Sequence, residues 1–218
     1  MDWQLMLKSL PLLVNGLGWT IVISALGMVL AMLMGIGLLI LRRSPFRLFR
    51  ILSQGYTELI LGVPILVLLF VIFYVLPNFG VVIDPLPAGL LTLMLHYSPY
   101  IAEVIRGALD AVPRGQIEAG RAIGMARHEI VQRIVLPQAI GVMLPPLTGQ
   151  FIGLIKDSAI LSVISVSELT FVAKQVISRT YAPFEIYSLI AIGYWVLTFV
   201  LEFALRKLEN RFTAYRYG

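Results

Sequence analysis

Residues 118–137 read EAGRAIGMARHEIVQRIVLP, a charged interruption between two long apolar runs. Gly115 to Ile123 can form one short helix, and Gly124 breaks it, because glycine tolerates the backbone of a sharp turn. Ala126 to Val135 can form a second. Its Ile130, Val131, Ile134 and Val135 recur at helical spacing, and Arg127, His128, Gln132 and Arg133 take the polar face. Arg114–Glu118 and Glu129–Arg133 are spaced to meet on a helix surface, at roughly 0.2–0.5 kcal/mol per pair. Pro137 suits the first turn of a following helix, where its missing N–H costs nothing. Docking to a soluble partner is one reason for a patterned, charged helix–turn–helix between apolar runs; the plainer reading, equally open on local pattern alone, is two amphipathic turns lying on lipid headgroups.

The chain around this loop is 59% hydrophobic and 13% charged, against about 25% charged residues in soluble domains. Its mean hydropathy is +0.89. The apolar residues are gathered in runs too long for soluble helices, which makes the 218 residues a single polytopic membrane domain. There is no cysteine, so no disulfide or thiol chemistry is expected. His96 and His128 lie far apart in sequence, and no metal site is expected. The net charge of +5 fits basic cytoplasmic loops better than nucleic acid. The first apolar run extends well past a signal-peptide core of roughly 7–15 residues. It reads as a retained membrane helix.

Five spans are expected, at about 12–41, 57–77, 87–109, 136–157 and 184–206, with the loop at 114–135. The stretch 159–177 is apolar but short and broken by Ser165, Ser167, Glu168 and Lys174; it is expected as one half-buried helix on the outer side. Arg42, Arg43, Arg47 and Arg50 follow the first span. Arg114, Arg121, Arg127 and Arg133 follow the third, and Arg206, Lys207, Arg211 and Arg216 the fifth. With five spans these groups share one side, so the N-terminus is expected outside and the C-terminus in the cytoplasm. The fold class is therefore an all-α polytopic membrane protein.

The loop also carries a specific pattern. Glu118, Ala119, Gly124, Ile134, Leu136 and Pro137 match E-A-A, three residues, G, nine residues, I-x-L-P, with Gly120 at the third alanine. This resembles the EAA coupling loop of ABC-transporter permeases, which docks into a partner ATPase. Further stretches are similar to the small histidine/glutamine-type permeases of polar amino-acid importers, and the likeness covers nearly the whole chain. They are Gly16 and Thr20; Tyr56, Glu58, Gly62 and Pro64; His96 to Glu103 with Arg106-Gly107; Pro113 to Gln116; Leu144-Pro145-Pro146; Lys156-Asp157-Ser158; and Glu168-Leu169-Thr170. One departure is Leu61-Gly62-Val63-Pro64, where the family usually has Arg-Gly-Thr-Pro.

The resemblance implies a type I importer fold in a bacterial inner membrane. It implies ATPase coupling through Glu118, Ala119, Gly120, Gly124, Arg127, Ile134, Leu136 and Pro137. It implies two ABC ATPase subunits that bind ATP and Mg, a second permease (a copy or a paralogue), and an extracytoplasmic amino-acid-binding protein. No cofactor is expected in this chain. No G-x-x-x-x-G-K-[ST] loop is present, so ATP must be handled by a partner.

Ionisable groups at membrane depth suggest function by default. Candidate substrate-pathway residues are Glu58, His96, Tyr100, Asp157, Ser158, Ser162 and Glu168. Five of them have a plainer reading. Glu58 could be a headgroup-level charge near Arg50, His96 a hydrogen-bonded structural residue, and Glu168 part of a solvated face. Asp157 and Ser158 could cap a turn. Glu103 and Arg106 are expected to form a structural ion pair. Pro145 and Pro146 are expected to interrupt the fourth span. The carboxylates Glu58 and Glu168, with leucine in place of arginine at position 61, favour a polar or cationic amino acid as substrate.

Two rivals stand. An intramembrane enzyme is disfavoured because His128-Glu129 begins a zinc motif that Gln132 breaks, and no Gly-x-Ser-x-Gly occurs. A membrane scaffold would explain the spans but not the patterned loop.

Overall fold

The computed structural model describes residues 2–213, all helices and connecting turns. Helix α1 (Trp3–Arg42) opens with Asp2, whose carboxylate accepts from the Leu5 N–H at 3.0 Å. Its buried stripe is rich in small residues: Gly16, Thr20, Ser24, Gly27, Ala31 and Gly35. Small residues let helix backbones approach closely where the hydrophobic effect between helices is absent. A Cβ on Gly35 would lie 2.9 Å from the Ser98 carbonyl oxygen, so glycine is what allows α1 to lie against α4 (Pro85–Asp110).

Residues 57–77, expected as one span, do not form one helix. Helix α2 (Arg47–Leu61) and helix α3 (Ile65–Phe70) meet at Gly62-Val63-Pro64, and the α2 and Ile65–Phe79 segments are bent by 106°. Pro64 has no N–H to donate, and its ring disfavours helical backbone at Val63. After α3 the chain widens into a π turn (Val71–Val75) and tightens into a 3₁₀ turn (Leu76–Phe79).

The 114–135 segment holds α5 (Arg114–Ala122), α6 (Arg127–Ile130) and a π turn (Val131–Val135), which runs straight into α7 (Leu136–Asp157). Pro145 and Pro146 lie inside α7, which continues through them; the expected interruption is not there. Neighbouring helices and side chains can absorb the lost N–H groups in such a setting.

The stretch 159–177 is also not one helix. A 3₁₀ segment (Ser158–Ile164) ends at Ser165, whose φ of 65° is left-handed, and α8 (Leu169–Thr180) begins after a fresh cap. The Val166 N–H closes this turn on the Leu161 carbonyl at 3.2 Å. Helix α9 (Pro183–Thr213) completes the described chain.

Among the described residues three helical stretches are long and apolar enough to cross a membrane: Trp3–Arg42, Arg127–Ile164 and Pro183–Lys207. The bent pair Arg47–Leu61 and Ile65–Phe79 counts as a fourth if taken as one span. Helix α4 has the length but carries His96, Ser98, Glu103 and Arg106. It is the inner helix, and its Leu93, Tyr97 and Ile101 share one buried cluster with Ile23, Leu69, Leu154 and Leu161.

The C-terminus of α1, the C-terminus of α4 and the 114–135 segment share one end of the bundle, termed here the loop end. Arg42 pairs with Glu103, Arg43 with Asp110 at 2.9 Å, and Arg106 with both Glu103 (2.8 Å) and Asp110 (3.1 Å). At the opposite end the Asp2 N–H donates to Glu185 at 3.3 Å, joining the starts of α1 and α9.

Candidate functional site

Pro113 starts α5 with extended backbone, and Gly124 ends the turn at a φ of +82°. There the Gly124 N–H reaches the Arg121 carbonyl and the Met125 N–H the Gly120 carbonyl, both at 3.0 Å. A left-handed glycine closing a helix in this way is a common terminator. Glu129 accepts from the Ala126 N–H at 2.9 Å and so caps α6. No ion pair joins Glu129 to Arg133, or Arg114 to Glu118, among the described residues. The orphan N–H at the start of α6 takes the Glu129 carboxylate instead.

Gly120 is the one buried residue of α5. A Cβ there would lie 3.0 Å from Ile134 Cδ1 and 3.2 Å from Ile130 Cγ1. The departure from the usual third alanine thus has a packing reason: glycine lets α5 close on the branched side chains of α6 and the π turn. Glu118, Ala119, Arg121, Gly124, Arg127, Leu136 and Pro137 are exposed, Ile134 is half-buried, and Ile123 at the apex is 79% exposed. A cleft of about 550 Å³ lies between the turn after α4, α5, the π turn and α7, lined by Val112, Gln116, Arg133 and Gln138 among others. Across this cleft the Gln138 side-chain amide donates to Gln116 Oε1 (2.5 Å) and to the Ile134 carbonyl (2.8 Å). The sequence reading did not single out this glutamine pair.

A second polar cluster sits between α4 and α7. The Tyr97 hydroxyl donates to Asp157 Oδ2 at 2.7 Å. Gly153 makes room for it; a Cβ there would be 3.2 Å from that hydroxyl. The His96 ring lies 5.3 Å from Tyr97 and 5.4 Å from Tyr100, and His96 Nδ1 is buried with no hydrogen-bond partner. The structure therefore gathers His96, Tyr100 and Asp157, with Tyr97 as the link.

The other pathway candidates lie elsewhere. Ser158 is buried and bonds back to the Ile155 carbonyl at 2.8 Å. Ser162 accepts from Lys174 Nζ at 2.9 Å. Glu58 is exposed on α2. Glu168 is fully buried, so it is not part of a solvated face. Its two oxygens accept from the Thr170 and Phe171 N–H groups at 2.8 Å each, and from the Tyr194 hydroxyl at 2.9 Å. The Leu169 N–H donates to Thr20 Oγ1 at 3.1 Å. Every free N–H in the first turn of α8 is thereby satisfied, and Glu168 holds α8 against α9 as a cap rather than offering an open carboxylate. A Cβ on Gly16 would meet Leu169 Cα at 3.0 Å, which explains glycine one turn before Thr20.

A bundle with small-residue helix contacts, a bent second helix and helices long and apolar enough to cross a membrane is that of a helical membrane protein. The chain belongs to the family described as binding-protein-dependent transport system inner membrane component, which matches residues 27–214. It is similar to the L-cystine transport system permease protein TcyB of Bacillus subtilis, 36% identical over 215 residues covering 98% of this chain and 92% of that protein. It is equally similar to the glutamine transport system permease protein GlnP of Escherichia coli K12, 36% identical over 212 residues covering 96% of this chain and 97% of the other. A solved structure described as an amino acid ABC transporter with histidines superposes with a TM-score of 0.91 at 36% identity, covering 97% of this chain and 99% of that one. The inward-facing MetNI methionine transporter shares the fold, with a TM-score of 0.71 at 22% identity. The chain is thus a type I ABC importer permease subunit, not an enzyme.

Proposed function

We propose that this chain forms part of the pathway for a polar amino acid, and that an ATPase partner docked on the 114–135 loop drives its transport. The single observation that supports this most is the loop itself. It presents Glu118, Arg127 and a bare Ile123 outward while Gly120, Ile130 and Ile134 hold it together from within. The cystine and glutamine systems among its relatives support an amino acid as the cargo. In this reading the loop end is cytoplasmic, the Asp2–Glu185 end is extracytoplasmic, five spans cross the membrane, and a second permease completes the pathway. His96, Tyr100 and Asp157 are the side chains we place nearest the substrate. His96 Nδ1 has an unused hydrogen-bonding site, and Asp157 offers a carboxyl group to an ammonium.

The experiment is ATP hydrolysis by the purified complex, reconstituted with its binding protein, across glutamine, cystine, histidine, arginine and glutamate. Stimulation by a polar neutral or cationic amino acid is expected. Stimulation by glutamate alone would overturn the substrate class, and stimulation by none would overturn the reading.

A further inference from the structure

Helix α2 has three faces. Ser53, Thr57 and Ile60 are buried inward. Leu48, Leu52 and Leu59 are 64%, 57% and 65% exposed and form an apolar outward face. Between them runs a third strip, at helical spacing along one side: Arg47, Arg50, Gln54 and Glu58, all exposed. Among the described residues none of these four side chains has a hydrogen-bond or ion-pair partner. Leu61, 44% exposed, ends the strip just before the Gly62-Val63-Pro64 break.

The strip is not confined to the membrane edge. Ser53 Oγ donates to the Leu38 carbonyl at 3.1 Å, and Leu38 lies roughly 6 Å of helix inside Arg42. The Tyr56 hydroxyl donates to the Leu95 carbonyl at 2.8 Å, and Leu95 to Asp110 spans roughly 22 Å of α4. Glu58 follows Tyr56, so it lies well within a hydrocarbon layer of about 30 Å. An unpaired carboxylate facing lipid at that depth is unfavourable; such groups face water or a partner charge. The neighbouring leucine face already satisfies the lipid.

Resting on the transport reading above, we infer that the α2 strip Arg47–Arg50–Gln54–Glu58 lines a water-filled inner half-channel through which the zwitterionic amino acid leaves. Glu58 meets the ammonium group at depth, and the two arginines draw the carboxylate toward the cytoplasmic mouth. The apolar Leu61 closes the strip at its outer end.

The chain has no cysteine, which makes the test clean. Single variants Gln54→Cys and Glu58→Cys on the strip, and Leu52→Cys and Leu59→Cys on the apolar face, are prepared in the complete complex in inside-out vesicles. The probe is the membrane-impermeant 2-sulfonatoethyl methanethiosulfonate, read as label on this chain. The strip thiols are expected to react on the order of tenfold faster than the leucine-face thiols. Equal rates at all four positions would overturn the inference. So would silence at 54 and 58 in a complex that still hydrolyses ATP, since a second permease would then seal the strip. Gln54→Cys carries the test if Glu58→Cys fails to assemble. A reactive strip in a complex that no amino acid stimulates would sink the substrate reading but leave the half-channel. Amino-acid transport with a silent strip would do the reverse.

Discussion

Thr20 and Leu169 join across the bundle: the Leu169 N–H donates to Thr20 Oγ1 at 3.1 Å, and the same hydroxyl donates to the Gly16 carbonyl at 3.1 Å. This buried contact seats the start of α8 on α1, and Glu168 locks the next two N–H groups beside it.

Glu168→Ala should therefore strip the cap and leave buried N–H groups unpaired. The expected cost is about 2 kcal/mol or more, since each orphaned buried donor costs roughly 1–3 kcal/mol. Glu168→Gln keeps an acceptor and should cost less. Thermal unfolding of the purified complex checks the order. Substrate concentration at half-maximal stimulation should stay unchanged in Glu168→Gln; a large shift would return Glu168 to the pathway.

Gly16→Ala places a Cβ at 3.0 Å from Leu169 Cα, a backbone atom with no freedom to swing aside. α1 and α8 must separate, at an expected cost of about 1–3 kcal/mol, the range for overpacking. Gly18→Ala, with open space at its Cβ, is the control and should be neutral or slightly stabilising. Equal melting behaviour of the two variants would contradict the packing described.

Gly120→Ala should loosen α5 from α6, because its Cβ meets Ile134 Cδ1 at 3.0 Å. Alanine is intrinsically the better helix former by about 1 kcal/mol, so steric crowding and propensity oppose each other. Adding Ile134→Val removes the crowding methyl and should unmask the propensity gain. Copurified ATPase per permease is the readout: reduced in Gly120→Ala and restored in the double variant.

The Arg42–Glu103–Arg106–Asp110–Arg43 network is partly exposed, with side-chain exposures from 28% to 55%. Single neutral replacements such as Arg43→Gln should cost under about 1 kcal/mol and matter less at high salt. A measured loss of several kcal/mol, insensitive to salt, would show that the network is tighter than its exposure allows.

The loop was the most legible part of the sequence, because its turn depends on local chemistry. Gly124 supplies a left-handed turn, and that cue reads directly. The bend in 57–77 was harder to see. Pro64 was visible, but a run of leucines and valines around it reads the same in one straight span or two bent helices. Pro145 and Pro146 mislead the other way, since α7 tolerates them. The contacts around Glu168 were illegible because Tyr194 reaches its carboxylate, and Thr20 the neighbouring Leu169 N–H, from helices far away in sequence. The reason for glycine at position 120 was hidden because the close approach of Ile134 is a tertiary fact. The polar strip of α2 needed both the helix start at Arg47 and the burial of Ser53 and Thr57 to appear.

The central claim is that the 114–135 loop couples this chain to a separate ATPase. It is tested most directly by ATP-driven uptake of a stimulating amino acid into proteoliposomes holding the complex with Glu118→Ala and Gly124→Val together. Valine at a φ of +82° should distort the turn, and the loss of Glu118 removes an exposed charge at the docking face. The account predicts that the variant permease still folds, fails to retain its ATPase, and loses uptake. Undiminished ATPase retention with undiminished uptake would contradict it.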